Sequence, residues 1–173
     1  AEVIATAAAL AFNDRQTTGK LHPLTREALD RIWTVQREDG GFNWLKCGWP
    51  PLESDDDYGA ALAALAVSAA PGDYYQTEQA RRGLGKIRGY LAKNPPPTLH
   101  HKAMLLWVSS YQESFLTAAQ RQTTIDELLK RQRDDGGWAL ASLGNWQRED
   151  KSAQDTASDG YGTGFVVYVL QQA

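Results

Sequence analysis

Cysteine is almost missing from this chain. The one thiol, Cys47, excludes an internal disulfide and says little about compartment. Charge is modest: the net value is −3, too slight and of the wrong sign for a protein whose chief partner is a nucleic-acid backbone. No run of about eighteen apolar residues occurs, so no segment is expected to span a membrane as a helix. A phosphate-cradling loop is missing as well. Gly160-Tyr161-Gly162-Thr163-Gly164 has neither a lysine nor a preceding strand, and reads as the turn at a helix start. The chain opens on Ala1-Glu2-Val3 and stops in an apolar helical run at Ala173, so it reads as a piece of a longer chain, whose leader cannot be judged.

What is present is a repeat. Gln36-Arg37-Glu38-Asp39-Gly40-Gly41-Phe42 returns as Gln132-Arg133-Asp134-Asp135-Gly136-Gly137-Trp138, with only Glu exchanged for Asp and Phe for Trp. Each copy follows an amphipathic run and precedes a polar segment and then an apolar run. Such self-similarity marks an array, which sets the reading of every shorter motif. The 173 residues, 42% of them hydrophobic, suffice for one domain with a core. Most of the six tryptophans are expected in that core.

In chain order, Val3 to Phe12 is alanine-rich and apolar on most sides, which predicts a buried helix. Asn13 to Pro23 is a polar connection. Thr25 to Gln36 is amphipathic, with Leu29, Ile32 and Trp33 on one face and Thr25 as its expected cap. Tyr58 to Ala69 is apolar again, Thr77 to Lys93 amphipathic, Thr98 to Ser110 mostly apolar and Thr117 to Gln132 amphipathic. Phe165-Val166-Val167-Tyr168-Val169 has strand composition. The repeat overrides that, because Ser-Asp, Tyr-Gly and an apolar run follow one another both at Ser54–Leu65 and at Ser158–Leu170. Thr163 to Gln171 is therefore expected to be a seventh helix. An apolar helix needs cover on all sides and an amphipathic one can face water. The alternation predicts an all-α, two-layered array of helical hairpins, apolar helices inside and amphipathic ones outside.

The Gln-x-x-Asp-Gly-Gly-Trp turn resembles the QW repeat of squalene-hopene cyclases and other triterpene cyclases, the prenyltransferase and squalene oxidase repeat. Gln132 to Trp138 fits it fully and Gln36 to Phe42 fits with Phe for Trp. Arg82-Gly83 with Ile87, Tyr90 and Leu91 looks like the front half of a third copy. The resemblance implies an α/α toroid, a double-layered ring of hairpins, of which this chain would supply a partial ring of about seven helices. An open arc of that kind would expose apolar faces at its ends, so the rest of its own toroid or a second copy is an expected partner. The resemblance also makes Gln36 and Gln132 structural, tying helix ends.

The same resemblance singles out Glu53-Ser54-Asp55-Asp56. It is similar to the Asp-x-Asp-Asp acid with which class II terpene cyclases protonate an alkene, here with Glu53 in place of the first Asp and Asp57 after the motif. Asp55 would be the proton donor and Glu53 and Asp56 its supports. Neighbouring carboxylates and burial raise a carboxyl pKa, whereas a helix N-terminus lowers it. The competing reading is that Ser54 or Asp55 caps the third helix and Asp56 and Asp57 occupy its first turn. His100 and His101 open the next apolar run. His101 is the better candidate to pair with the acid, against a histidine pair merely satisfied at a helix start. Trp44, Trp49, Tyr58, Trp107, Tyr161 and Tyr168 would line a cavity for a polyprenyl ligand, since aromatic faces stabilise carbocations, or they are simply core.

No cofactor is implied. Zinc-binding prenyltransferase subunits share the toroid, but Cys47 has no Asp two residues before it. Thioester toroids need Cys-Gly-x-Gln, and Cys47-Gly48-Trp49-Pro50 does not supply that. Two function classes stay open: an acid-initiated cyclase, and a non-catalytic toroid module that binds protein or lipid.

Overall fold

The computed structural model describes residues 1–45, 55–146 and 150–173. Among these the structure is all-α, with 7 α-helices, short 3-10 turns and no strand. No described helix is long and apolar enough to cross a membrane. The chain divides into two compact units. One is Ala1–Leu45 with Asp55–Pro95; the other, among the described residues, runs from Pro96 to Ala173.

The first unit contains α1 (Glu2–Thr17), α2 (Pro23–Ile32), α3 (Asp56–Ala69) and α4 (Glu78–Lys93). α1 continues past Phe12, where its apolar composition ends, because nothing in Asn13–Thr17 breaks a helix. Gly19, at φ +64°, is the first residue that turns the chain. Asp14 then organises the connection, its Oδ2 accepting the backbone N–H of His22 at 2.7 Å. This bond, more than any charge, holds the Asp14 carboxyl below the ordinary range. The cap of α2 is His22 and not Thr25. The imidazole Nδ1 accepts the Leu24 N–H at 3.2 Å, and Pro23 fills the first helical position, where its missing N–H costs nothing. Thr25 is buried inside the helix instead.

α3 packs on α1, α2 and α4. From Tyr58 to Ala69 every residue but Leu62 is buried, as an all-apolar helix requires. α1 differs from its expectation. It buries Ile4, Ala7, Ala8, Ala11 and Asp14, and leaves Ala5, Thr6 and Ala9 exposed. Alanine tolerates either environment, so a run of it predicts a helix better than it predicts burial. The amphipathic helices turn one stripe inward: Thr25, Leu29 and Ile32 on α2, and Ala80, Gly83, Leu84, Ile87 and Tyr90 on α4. Between them the Trp33 ring lies flush against Gly83, so closely that an added Cβ would overlap the indole. Its Nε1–H donates to the Tyr74 hydroxyl at 3.0 Å, which in turn donates to Asp30 at 2.7 Å. Burial first, and then the bond to Asp30, raise the Tyr74 phenol well above its usual value.

The second unit contains α5 (Leu99–Tyr111), α6 (Ala118–Leu129) and α7 (Gly160–Gln172). Thr98 caps α5. Thr117 and Gln120 form a reciprocal capping box on α6. α5 packs against both α6 and α7, and Leu106, Leu128, Trp138, Leu143, Val166 and Val169 form the buried centre. The β-branched run is helical, as the repeat implies. Its cover is one-sided: Gly162, Val166 and Val169 are buried, while Tyr161 and Val167 are exposed.

The seat of Trp33 makes a test within one helix. Gly83→Ala should destabilise the chain by about 1–3 kcal/mol through overpacking. Gly89→Ala, on the exposed side of α4 with nothing within 4 Å of the added methyl, should stabilise it by about 0.5–1 kcal/mol. Denaturant melts of the two variants check both signs.

Candidate functional site

The two copies of the repeat fold into the same turn. In the first, the Arg37 N–H donates to the Gly41 carbonyl at 2.9 Å and the Gly40 N–H to the Arg37 carbonyl at 3.0 Å. In the second, Arg133 and Gly137 pair at 3.0 Å and Gly136 and Arg133 at 2.9 Å. Gly40 and Gly136 stand at φ +93° and +83°, where a Cβ is penalised. Asp39 and Asp135 each accept the N–H of the glycine two residues on, at 2.9 Å in both copies. Gln36 donates to the Gly40 carbonyl at 3.1 Å, as Gln132 does to that of Gly136 at 2.9 Å. Gln36 also reaches α4, donating to the Gly83 carbonyl at 3.1 Å. The final aromatic is buried in each copy. Trp138 adds a bond that Phe42 cannot make, from Nε1–H to the Leu128 carbonyl at 2.7 Å.

From each turn the chain passes to an acidic helix start. Asp55 caps α3, accepting the Tyr58 N–H at 3.0 Å. Asp56 turns back to the repeat, where one oxygen takes the Arg37 guanidinium at 2.6 Å and the other the Trp44 N–H at 3.2 Å. The second copy does both jobs with one residue. Asp159 caps α7 through the Gly162 N–H at 2.6 Å and accepts the Leu140 N–H at 2.5 Å with its other oxygen. Asp57 lies by Tyr90, whose phenol is pushed up to about 12, first by burial and then by that carboxylate. Glu53 and Trp49, also members of the sequence-derived site, lie outside the described residues.

Arg37 is the residue that sequence reasoning passed over. Besides Asp56, its guanidinium donates to Asp39, to the Phe42 carbonyl at 3.0 Å and to Asn43 at 3.1 Å, and lies over the Tyr90 ring. The bonds to Asp39 and Asp56 hold its pKa above the ordinary arginine value. Arg37 in turn is the main reason the Asp39 carboxyl titrates low. The signal is present, since arginine follows glutamine in both copies, but an arginine beside acids also fits a solvated face.

In the second unit, His101 bonds through Nδ1 to the Thr98 hydroxyl at 2.6 Å, and His100 Nε2 lies 3.0 Å from the Tyr161 hydroxyl. Both imidazoles are buried. His100 stacks on Phe165 at 4.5 Å between ring centres and meets Trp146 edge-on at 5.6 Å. Of the candidate cavity-lining aromatics, Trp44 pairs with Tyr58 at 5.5 Å in the first unit, and Trp107 with Tyr168 at 4.9 Å in the second. Tyr161 belongs to the His100 cluster. Among the described residues no group of His, Cys, Asp and Glu is arranged to hold a metal.

No family model, curated protein or solved structure matches the chain.

Two outcomes follow from this geometry. Arg37→Met should cost about 1–3 kcal/mol, because it removes the cation that links Asp39, Asp56 and the Phe42 carbonyl. Arg133→Met should stay within about 0.5 kcal/mol, since Arg133 is exposed and affects Asp135 through Coulomb attraction. Equal losses in denaturant melts would show that the two arginines act alike. The second outcome concerns acid. Asp14, Asp39 and Asp135 all have folded pKa values below their reference value, and for Asp135 the chief cause is the Gly137 N–H. Their contribution is therefore complete above the unfolded pKa and is lost as pH falls through the folded one. Thermal midpoints should be level above about pH 5 and decline below about pH 4. Asp135→Asn should make that decline shallower.

Proposed function

We propose that this chain is a non-catalytic helical-repeat module of the α/α-toroid type, a protein- or lipid-binding relative in design of the terpene-cyclase ring. The observation that carries this reading is the use made of the acidic helix start. A general acid must hold its proton at working pH. Asp56 is gripped by a guanidinium at 2.6 Å, and Asp55 accepts a backbone N–H at the positive end of α3. Both carboxylates are thus engaged in holding the helix start, whereas a proton donor must reach its substrate. The second copy supports the same view, because Asp159 makes the equivalent cap and anchor with a single carboxylate. The repeated turn, and the fuller burial of α3 and α5 than of the amphipathic α2, α4 and α6, support the toroid part of the proposal.

One specific observation favours the other reading, a class II cyclase with Asp55 as donor. The carboxylates Asp55, Asp56 and Asp57 lead directly into the most buried helix of the first unit, beside the Trp44–Tyr58 aromatic pair. A carboxylate cluster beside apolar rings is a setting in which general acids are found.

Asp55→Asn separates the two, because asparagine caps a helix about as well as aspartate but carries no acid proton. The chain and its Asp55→Asn variant, incubated with squalene, should both give no cyclised product by gas chromatography, with thermal midpoints that agree closely. Product from the parent that vanishes in the variant would overturn the module reading and establish Asp55 as the acid.

A further inference from the structure

Within the second unit a cleft of about 590 Å³ opens between the start of α5, the end of α6 and the loop 141–145. Its volume falls in the range of small-molecule sites, but its wall is not the usual apolar one. Lys102, Lys130 and Arg131 line it, with Glu127 as the one carboxylate among its lining residues. Lys102 holds both oxygens of Glu127, at 3.0 and 2.7 Å, so that pair is neutral and fixed in place. Lys130 and Arg131 remain. Neither is ion-paired to a described residue, so the cleft carries two uncompensated positive charges on a chain whose net charge is −3. Both cations also offset the C-terminal dipole of α6. That role needs no concavity beside them.

The far wall is preformed. The Leu143 carbonyl accepts the His100 N–H at 2.8 Å, and the Leu143 N–H donates to the Leu140 carbonyl at 2.9 Å, within a 3-10 turn that spans Leu140–Ser142. Leu143 itself is fully buried, so the loop is pinned to the start of α5 on one side and to the core on the other. Gly144 follows, and a side chain there would meet the Trp146 ring at 2.8 Å. A pinned, concave wall facing two cations that pair with no described residue is suited to a compact, multiply charged anion. Ordering costs are low when the protein part of a site is already in place, and charge-assisted bonds from Lys and Arg to oxyanions are stronger than neutral ones.

We propose that this cleft is a binding site for a small molecule bearing a phosphate or carboxylate oxyanion, with Lys130 and Arg131 as its direct ligands, facing the wall formed by residues 141–145. The site shares no residue with the acidic start of α3 and does not depend on whether that segment is catalytic.

Titration of the isotope-labelled chain with inorganic pyrophosphate, followed by amide shifts in nuclear magnetic resonance, tests this. Saturable shifts should concentrate at Leu99, Leu143, Gly144 and Asn145. Lys130→Gln with Arg131→Gln should weaken binding about tenfold or more while the amide spectrum elsewhere stays that of the folded chain. Lys93→Gln, an exposed loss of one positive charge at the end of α4, should leave binding unchanged. A parallel titration with citrate distinguishes a phosphate site from a carboxylate one, and preference for either anion supports the proposal. No saturable shift with either anion at millimolar concentration would overturn it, as would equal weakening by Lys93→Gln.

Discussion

A carboxylate that accepts from both a helix start and the loop before it is the constraint on which this structure depends. An apolar helix such as α3 has no polar face to fix its entry, so the entry must be held at its N-terminus. There the backbone N–H groups have no partners within the helix. Asp159 satisfies this with two oxygens pointing in two directions. Asp55 and Asp56 divide the work, and the division brings Arg37 in, which binds the turn of the repeat to the acid. The Gly-Gly turn and the acidic helix start are thus one device, joined by hydrogen bonds across the intervening loop.

This device constrains the chemistry available to the acidic segment. A carboxylate that fastens backbone is most useful as an anion, whereas a proton donor is most useful before it ionises. Both demands fall on the same few residues. The buried, hydrogen-bonded histidines at the start of α5 show the same economy: His101 lies against its own capping threonine, and His100 sits in an aromatic cluster. Side chains of reactive type at a helix start are therefore weak evidence of reaction unless their bonding atoms are free to reach a substrate.

Much of the helical order is legible in the sequence because it rests on local rules. Thr77, Thr98 and Thr117 stand before helical runs and each one caps. The repeat places a helix at Thr163–Gln171 against a composition that favours strand. What is not legible has non-local causes. His22 displaces Thr25 as a cap because Pro23 occupies the first turn and Asp14, on another helix, holds the backbone of His22. The one-sided burial of α1 and α7 depends on which neighbours reach them, and no residue within Val3–Phe12 encodes that. The acidic motif is visible by its spacing, but its role depends on Arg37, nineteen residues earlier in the chain. The basic cleft is hidden for the same reason, since Lys102 and Lys130 come together only through the pairing of α5 with α6.

The reach of Gln36 has a further consequence. By bonding at once to its own turn and to Gly83 on α4, this amide couples two helical hairpins that are otherwise consecutive in sequence. Local opening of either one must break a contact belonging to the other, which merges them into a single cooperative segment for hydrogen exchange. Gln132, whose amide bonds within its own turn among the described residues, forms no such bridge. The earlier turn is thereby clasped to a second helix by a single side chain, whereas the later one, among the described residues, is closed by its own amide alone.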